Sequence, residues 1–119
     1  MAYIDAFCCS VPREKLEAYK ALVHKMAPLW KELGASGYME AVGDDVPMGE
    51  LTSFPRAVQA GEDDIVMISF LTYPDKAARD KVGEAMMSDA RLQALFEEMG
   101  QLTDMKLMIY GGFQPIVMG

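Results

Sequence analysis

Twice in this chain an apolar run ends at a proline that charged residues follow at once. The two junctions are Ser10-Val11-Pro12-Arg13-Glu14-Lys15 and Thr72-Tyr73-Pro74-Asp75-Lys76. Proline has no N–H to donate and a fixed φ, so it closes a strand and is at home in the first turn of a helix. The same strand-to-helix junction in each half points to two similar β-α units. At 119 residues the chain has room for one domain, residues 1–119, and no second core.

Residues 3–10 are predicted to form a strand, with Tyr3, Asp5, Phe7 and Cys9 on one face and Ile4, Ala6, Cys8 and Ser10 on the other. From Arg13 to Leu33 the period is helical. Leu16, Tyr19, Val23, Met26, Trp30 and Leu33 make one apolar stripe, and Gly34 is placed to cap its end. Pro28 lies inside this helix and predicts a kink near residues 24–28. Residues 36–43 are read as a second strand and 65–73 as a third, apolar on both faces. A second helix runs from Pro74-Asp75 to Met87. Ser88-Asp89 caps a third helix, with Leu92, Leu95, Phe96 and Met99 as its stripe. Residues 105–110 are expected as the last strand, with Gly111-Gly112 as a bend after it. Between Asp44 and Asp64 the chain is too long for a routine connection, and part of it (Leu51 to Ala60) is expected to form an arm or short strand.

The order β-α-β, arm, β-α-α-β is that of an α+β, ferredoxin-like domain: an antiparallel sheet with helices on one face. Tyr3, Phe7, Tyr38 and Val42 are then left as an apolar surface on the uncovered side. A second copy stacked sheet to sheet would cover it, which predicts a twofold homodimer. The arm folding back over the sheet is the competing cover.

Charge and cysteine content narrow the function classes. Eighteen acidic residues against eleven basic ones leave a net charge of −7, and the bases are scattered among acids. A nucleic-acid binder needs clustered Lys and Arg, so no nucleic acid is expected as a partner. No window approaches the roughly 18 apolar residues of a membrane helix, and an acidic surface disfavours anionic lipid, so no membrane is expected either. Adjacent Cys8 and Cys9 cannot form a disulfide framework and read as two small buried thiols. With no secretory pattern, the expected location is cytoplasmic. Three Cys and His residues in all are too few for a four-ligand zinc site, and no metal and no cofactor are expected.

The candidate site residues each have an ordinary reading beside a functional one. His24, the one histidine, is either a flank residue near the kink or a general base. Asp5 and Glu40 are carboxylates inside strands, where a carboxylate must meet water, pair with a base or keep its proton. They read either as structural pairs or as polar anchors of a pocket shared with Tyr3, Tyr38 or Arg56. Arg79, Asp80, Asp89 and Arg91 read as a cap and ion pairs at the corner of the second and third helices. Trp30, Met26 and Met86 read as core, although eleven methionines also suit a surface that adapts to a ligand. The expected site lies between the sheet and the first helix, near His24, Trp30, Tyr38 and Glu40. The 44–64 arm is its expected lid. Trp30, Tyr38 and Arg56 are its ligand contacts, and His24, Glu40 and Asp5 are the catalytic candidates.

Several stretches together resemble a known family. They are Tyr3-Ile4-Asp5-Ala6-Phe7, Ala27-Pro28-Leu29-Trp30-Lys31-Glu32, Asp44-Asp45-Val46-Pro47-Met48-Gly49, Met86-Met87-Ser88-Asp89-Ala90-Arg91 and Met108-Ile109-Tyr110-Gly111-Gly112-Phe113. In order and over nearly the whole chain, they are similar to the YbaA-like family of uncharacterised bacterial proteins. The resemblance implies the dimeric α/β barrel. Its wider superfamily includes small monooxygenases, haem-degrading enzymes and isomerases. It supplies no catalytic residues. The expected function is a homodimer that binds a small apolar or aromatic metabolite. The alternative is a cofactor-independent enzyme of monooxygenase or isomerase type.

Overall fold

In a computed structural model, residues 1–118 are described. The elements are β1 (Tyr3–Pro12), a 3₁₀ turn (Arg13–Lys15), α1 (Leu16–Leu33), β2 (Gly37–Val42), α2 (Phe54–Ala57), β3 (Asp64–Tyr73), α3 (Lys76–Ser88), α4 (Ala90–Met99) and β4 (Ile109–Phe113). The strands form one antiparallel sheet in the order β2-β3-β1-β4, the arrangement of a ferredoxin-like domain. β1 and β3 pair over their whole lengths, from Tyr3 opposite Tyr73 to Pro12 opposite Asp64.

Both proline junctions act as expected. Pro12 ends β1, and Arg13 N–H closes the turn on the Asp63 carbonyl at 2.9 Å. Asp75 caps α3 by accepting from Ala78 N–H at 2.7 Å. Asp89 caps α4 by accepting from the N–H groups of Arg91 and Leu92. The Arg91 guanidinium reaches Asp89 at 2.8 Å and Glu32 at 3.0 Å, so one arginine fixes the α3–α4 corner against α1. The neighbouring guanidinium and the Leu92 N–H hold the Asp89 carboxyl down at about 2. Gly34 leaves α1 at φ 127°, a conformation that L side chains rarely adopt. Pro28 lies on the exposed side of α1, and the helix continues through it to Leu33.

Four expectations change. The last strand starts at Ile109, not at residue 105, because Asp104 captures the preceding segment in a turn. Its carboxylate accepts from Lys106 N–H at 3.0 Å and its carbonyl from Leu107 N–H at 3.0 Å. Gly111 and Gly112 sit inside β4, opposite Ala6 and Asp5, and make no bend there. The sheet faces are also reversed. Tyr3, Phe7 and Tyr38 pack against the core beneath the helices, while Val42 lies at the sheet edge. The open face carries Ile4, Ala6, Ile68, Phe70 and Met39. Finally, the arm is no lid. It forms one helical turn, α2, and Val58 just beyond it is fully buried against Cys8 and Val66 on that other face. Cys8 and Cys9 therefore point to opposite sides of the sheet, one under the arm and one in the main core.

Candidate functional site

Between the inner sheet face and the helices lies a cavity of about 490 Å³. Its walls come from all four strands and from α1, α3, α4 and the segment before β4. The helices' apolar stripes meet the sheet through long, unbranched side chains that leave space between them. Met26, Met67, Met86, Met87, Met99, Met105 and Met108 all line it, seven of the chain's eleven methionines. Trp30, Phe7, Phe96 and Tyr110 supply rings; Phe7 and Tyr110 stack at 6.3 Å, and Trp30 meets Phe96 at 6.0 Å. Thioethers are polarizable and change rotamer easily, which suits a wall that shapes itself to an occupant.

Polar groups enter this apolar space in two clusters, each built on one of the strand carboxylates. The register puts Asp5 beside Leu71 and Tyr38, and Phe7 beside Ser69 and Glu40, so both carboxylates face the helices. Asp5 is charge-paired. Arg79 from α3 reaches its two oxygens with Nε at 3.1 and 3.2 Å and with Nη2 at 3.1 Å, and Tyr73 Oη donates at 3.0 Å. The guanidinium also lies over the Tyr3 ring, 5.1 Å from its centre. A side chain at position 112 would strike both Tyr3 and Arg79. A glycine in β4 thus makes room for this cluster.

Glu40 differs in kind. Tyr19 Oη from α1 donates to Oε1 at 2.5 Å, and Tyr38 Oη donates to Oε2 at 2.9 Å. No cation among the described residues lies within ion-pair distance of it. Burial raises its carboxyl above the usual range, and the hydroxyls of Tyr19, Tyr38 and Ser69 offset only part of that rise. The two phenols are pushed up in turn, chiefly by burial and then by the nearby acidic groups, so they remain donors. Cys9 lies against Tyr19 at 3.7 Å, and burial lifts its thiol to about 11, so it stays protonated and is no nucleophile.

The structure brings Asp5, Glu40, Tyr38 and Trp30 into one cavity, but not His24 or Arg56. His24 sits on the exposed flank of α1. Arg56 lies in the arm, where Nε and Nη2 donate to the carbonyls of Met48 and Gly49 at 2.9 and 3.2 Å; its guanidinium holds the loop together. Reading the sequence missed Arg79 and Tyr73 as Asp5's partners and Tyr19 as Glu40's. The available signal was the cost of a strand carboxylate, which demands a donor from some other element. Among the described residues, no group of three or more His, Cys, Asp or Glu is placed to hold a metal ion.

Comparison with known proteins agrees with this fold and adds no assigned chemistry. The dimeric ferredoxin-like protein of unknown function from Jannaschia sp. superposes with a TM-score of 0.56 at 15% identity, covering 95% of this chain and 99% of that one. The cofactor-independent oxygenase SnoaB from Streptomyces nogalater superposes with a TM-score of 0.64 at 8% identity, covering 98% and 95%. At these identities the likeness is one of fold. The uncharacterized protein YbaA of Escherichia coli is 44% identical over 117 residues, 98% of each chain. Residues 2–103 match the family described as a protein of unknown function, DUF1428. A ferredoxin-like sheet, a full-length relative at this identity and a match over most of its length place the chain in the DUF1428 family.

Proposed function

We propose that this protein is a cytoplasmic homodimer that binds a small apolar or aromatic molecule in the cavity between its sheet and helices. The wall of that cavity carries the proposal. Seven methionines and a set of aromatic rings enclose about 490 Å³, within the roughly 300–1,000 Å³ usual for ligand pockets. The charged groups are few and gathered at two points, enough to orient a ligand within an adaptable apolar shell. Two unpaired cysteines suit a reducing compartment. The open sheet face supports the dimer.

Trp30 is the only tryptophan and stands in the cavity wall, so its emission reports occupancy. Titration with bromonaphthalene, a heavy-atom quencher, is expected to quench Trp30 along a saturating curve. Linear, non-saturating quenching would mean that the cavity does not take up aromatic molecules.

A second reading rests on Glu40, a cavity carboxyl raised by burial and held between two phenols. That is the arrangement of a general base in a cofactor-independent enzyme of monooxygenase or isomerase type. Such an enzyme would take a proton from an acidic C–H onto a Glu40 oxygen and return it. It should catalyse deuterium exchange from heavy water into tetralone, and Glu40→Gln should stop the exchange. An exchange rate in the wild type no faster than in buffer alone removes this reading.

A further inference from the structure

We infer that the cavity selects an organic monocation: an apolar or aromatic body bearing one protonated amine, its ammonium seated against Glu40. This rests on the binding reading above and narrows the ligand class. Three residues in the cavity wall are formally charged, namely Asp5, Glu40 and Arg79. Arg79 and Asp5 neutralise one another through a two-pronged contact. Arg79 does not serve Glu40. Asp5 lies on β1 and Glu40 on β2 with β3 between them and two residues off in register, a separation of about 12 Å at the usual strand spacing of about 4.8 Å and rise of about 3.4 Å. The space thus keeps one carboxylate whose donors are all neutral hydroxyls.

A carboxylate offers about four accepting directions. Tyr19 takes one on Oε1 and Tyr38 one on Oε2, with Ser69 opposite on β3, which leaves an open direction for an occupant. A neutral apolar ligand would strip water from Glu40 and return nothing. An anion would add repulsion in a low-dielectric space. An ammonium offsets the desolvation of the carboxylate and donates into the open direction. The rings of Trp30, Tyr19, Tyr38 and Phe7 line the same space, and aromatic rings attract a cation over their faces. Calcium and magnesium are poorly served, since they ask for six or more oxygen ligands and this wall is thioether and ring. The net charge of −7 raises the local concentration of cations around the whole molecule.

The test uses the full-length protein and three molecules of one shape: naphthylmethylammonium, naphthylmethanol and naphthoate, substituted at the same ring position. Calorimetric titration is expected to show the ammonium binding at least about tenfold more tightly than the alcohol, with naphthoate weakest. Affinity for the ammonium should fall as pH drops through the range where Glu40 takes up a proton, while the alcohol's affinity holds. The groups facing Glu40 are Tyr19 from α1, Tyr38 on its own strand, Ser69 from β3 and Cys9 from β1; the phenols and thiol among them are pushed upward, away from that range. Glu40→Gln should bring the ammonium and the alcohol within about twofold of each other. If that variant fails to fold, the pH dependence of the wild type decides the matter, and a flat profile overturns the inference. An alcohol or naphthoate that binds as tightly as the ammonium also overturns it, while leaving the binding cavity standing. If none of the three binds, the binding reading itself fails.

Discussion

Arg79→Met is expected to lower the free energy of unfolding by about 2–3 kcal/mol, and Asp5→Asn in the same chain to recover most of that loss. The wild-type carboxylate is 15% exposed and takes the guanidinium on both oxygens with Tyr73 as a third partner. Methionine matches the apolar stem of arginine as far as Nε, so the stem's packing is kept while the guanidinium's contact over the Tyr3 ring goes with the ion pair. What changes is Asp5, which would keep its charge with a single phenol for company. Breaking a fully buried pair costs about 3–5 kcal/mol. Arg79 is 29% exposed, so solvent already screens part of the attraction and the lower figure applies. Asp5→Asn removes the orphaned charge and still accepts from Tyr73. Urea unfolding of the wild type, both single variants and the double variant closes the cycle. A loss below about 0.5 kcal/mol for Arg79→Met would show that water screens this pair as it does on an open surface.

That cycle also marks where the sequence stops being informative. The strand-proline-helix junctions, the Asp89 cap and the opposite facing of Cys8 and Cys9 follow from residues within a few positions of one another, and the structure has all of them. Asp5 and Glu40 stood out as costly carboxylates for the same local reason. Their partners were hidden because Arg79 lies 74 residues from Asp5 and Tyr19 lies 21 residues from Glu40, on helices whose rotation the apolar stripe fixes only coarsely. Tyr19 read as one more core residue in that stripe. Its hydroxyl acts only because the register sets Glu40 beneath it.

The choice of sheet face failed for a related reason. β1 and β3 are apolar on both sides, so alternation shows that two faces exist without saying which one the helices cover. The carboxylates decide that question only after their donors are found on α1 and α3. Arg56 and His24 show the converse. Each is a residue type suited to a site, and each belongs to an element that faces elsewhere. The Met105–Ile109 run shows how a local polar group outweighs an apolar pattern, since Asp104 binds the backbone of that segment before it can join β1.

Phe70→Asp is expected to convert the proposed homodimer to a folded monomer, weakening association at least about a thousandfold. Phe70 is central on the open sheet face. Its row runs from Gly111 through Ala6 to Met39, and the next row holds Ile109, Cys8, Ile68 and Ala41. At the borders Met39 is 61% exposed and Phe113 is 58% exposed. A contiguous apolar surface of this extent is uncommon on a monomer and calls for cover. The arm supplies some of it, through Val58 and Ala60 over Cys8 and Val66, but leaves the row through Phe70 open. A second sheet laid face to face would cover the rest. An aspartate in the middle of that contact would be buried without a partner, and twofold symmetry would bring two of them in. At about 2 kcal/mol or more each, the pair accounts for the thousandfold loss. The cavity and the helix-side core lie across the sheet from Phe70, so the monomer should keep its fold and its Trp30 emission. Phe70→Leu, apolar and similar in size, should remain dimeric in native mass spectrometry. A wild type that is monomeric at every concentration would mean that the arm is cover enough, and that the sheet stays half open to water because ordering a second chain against it gains too little.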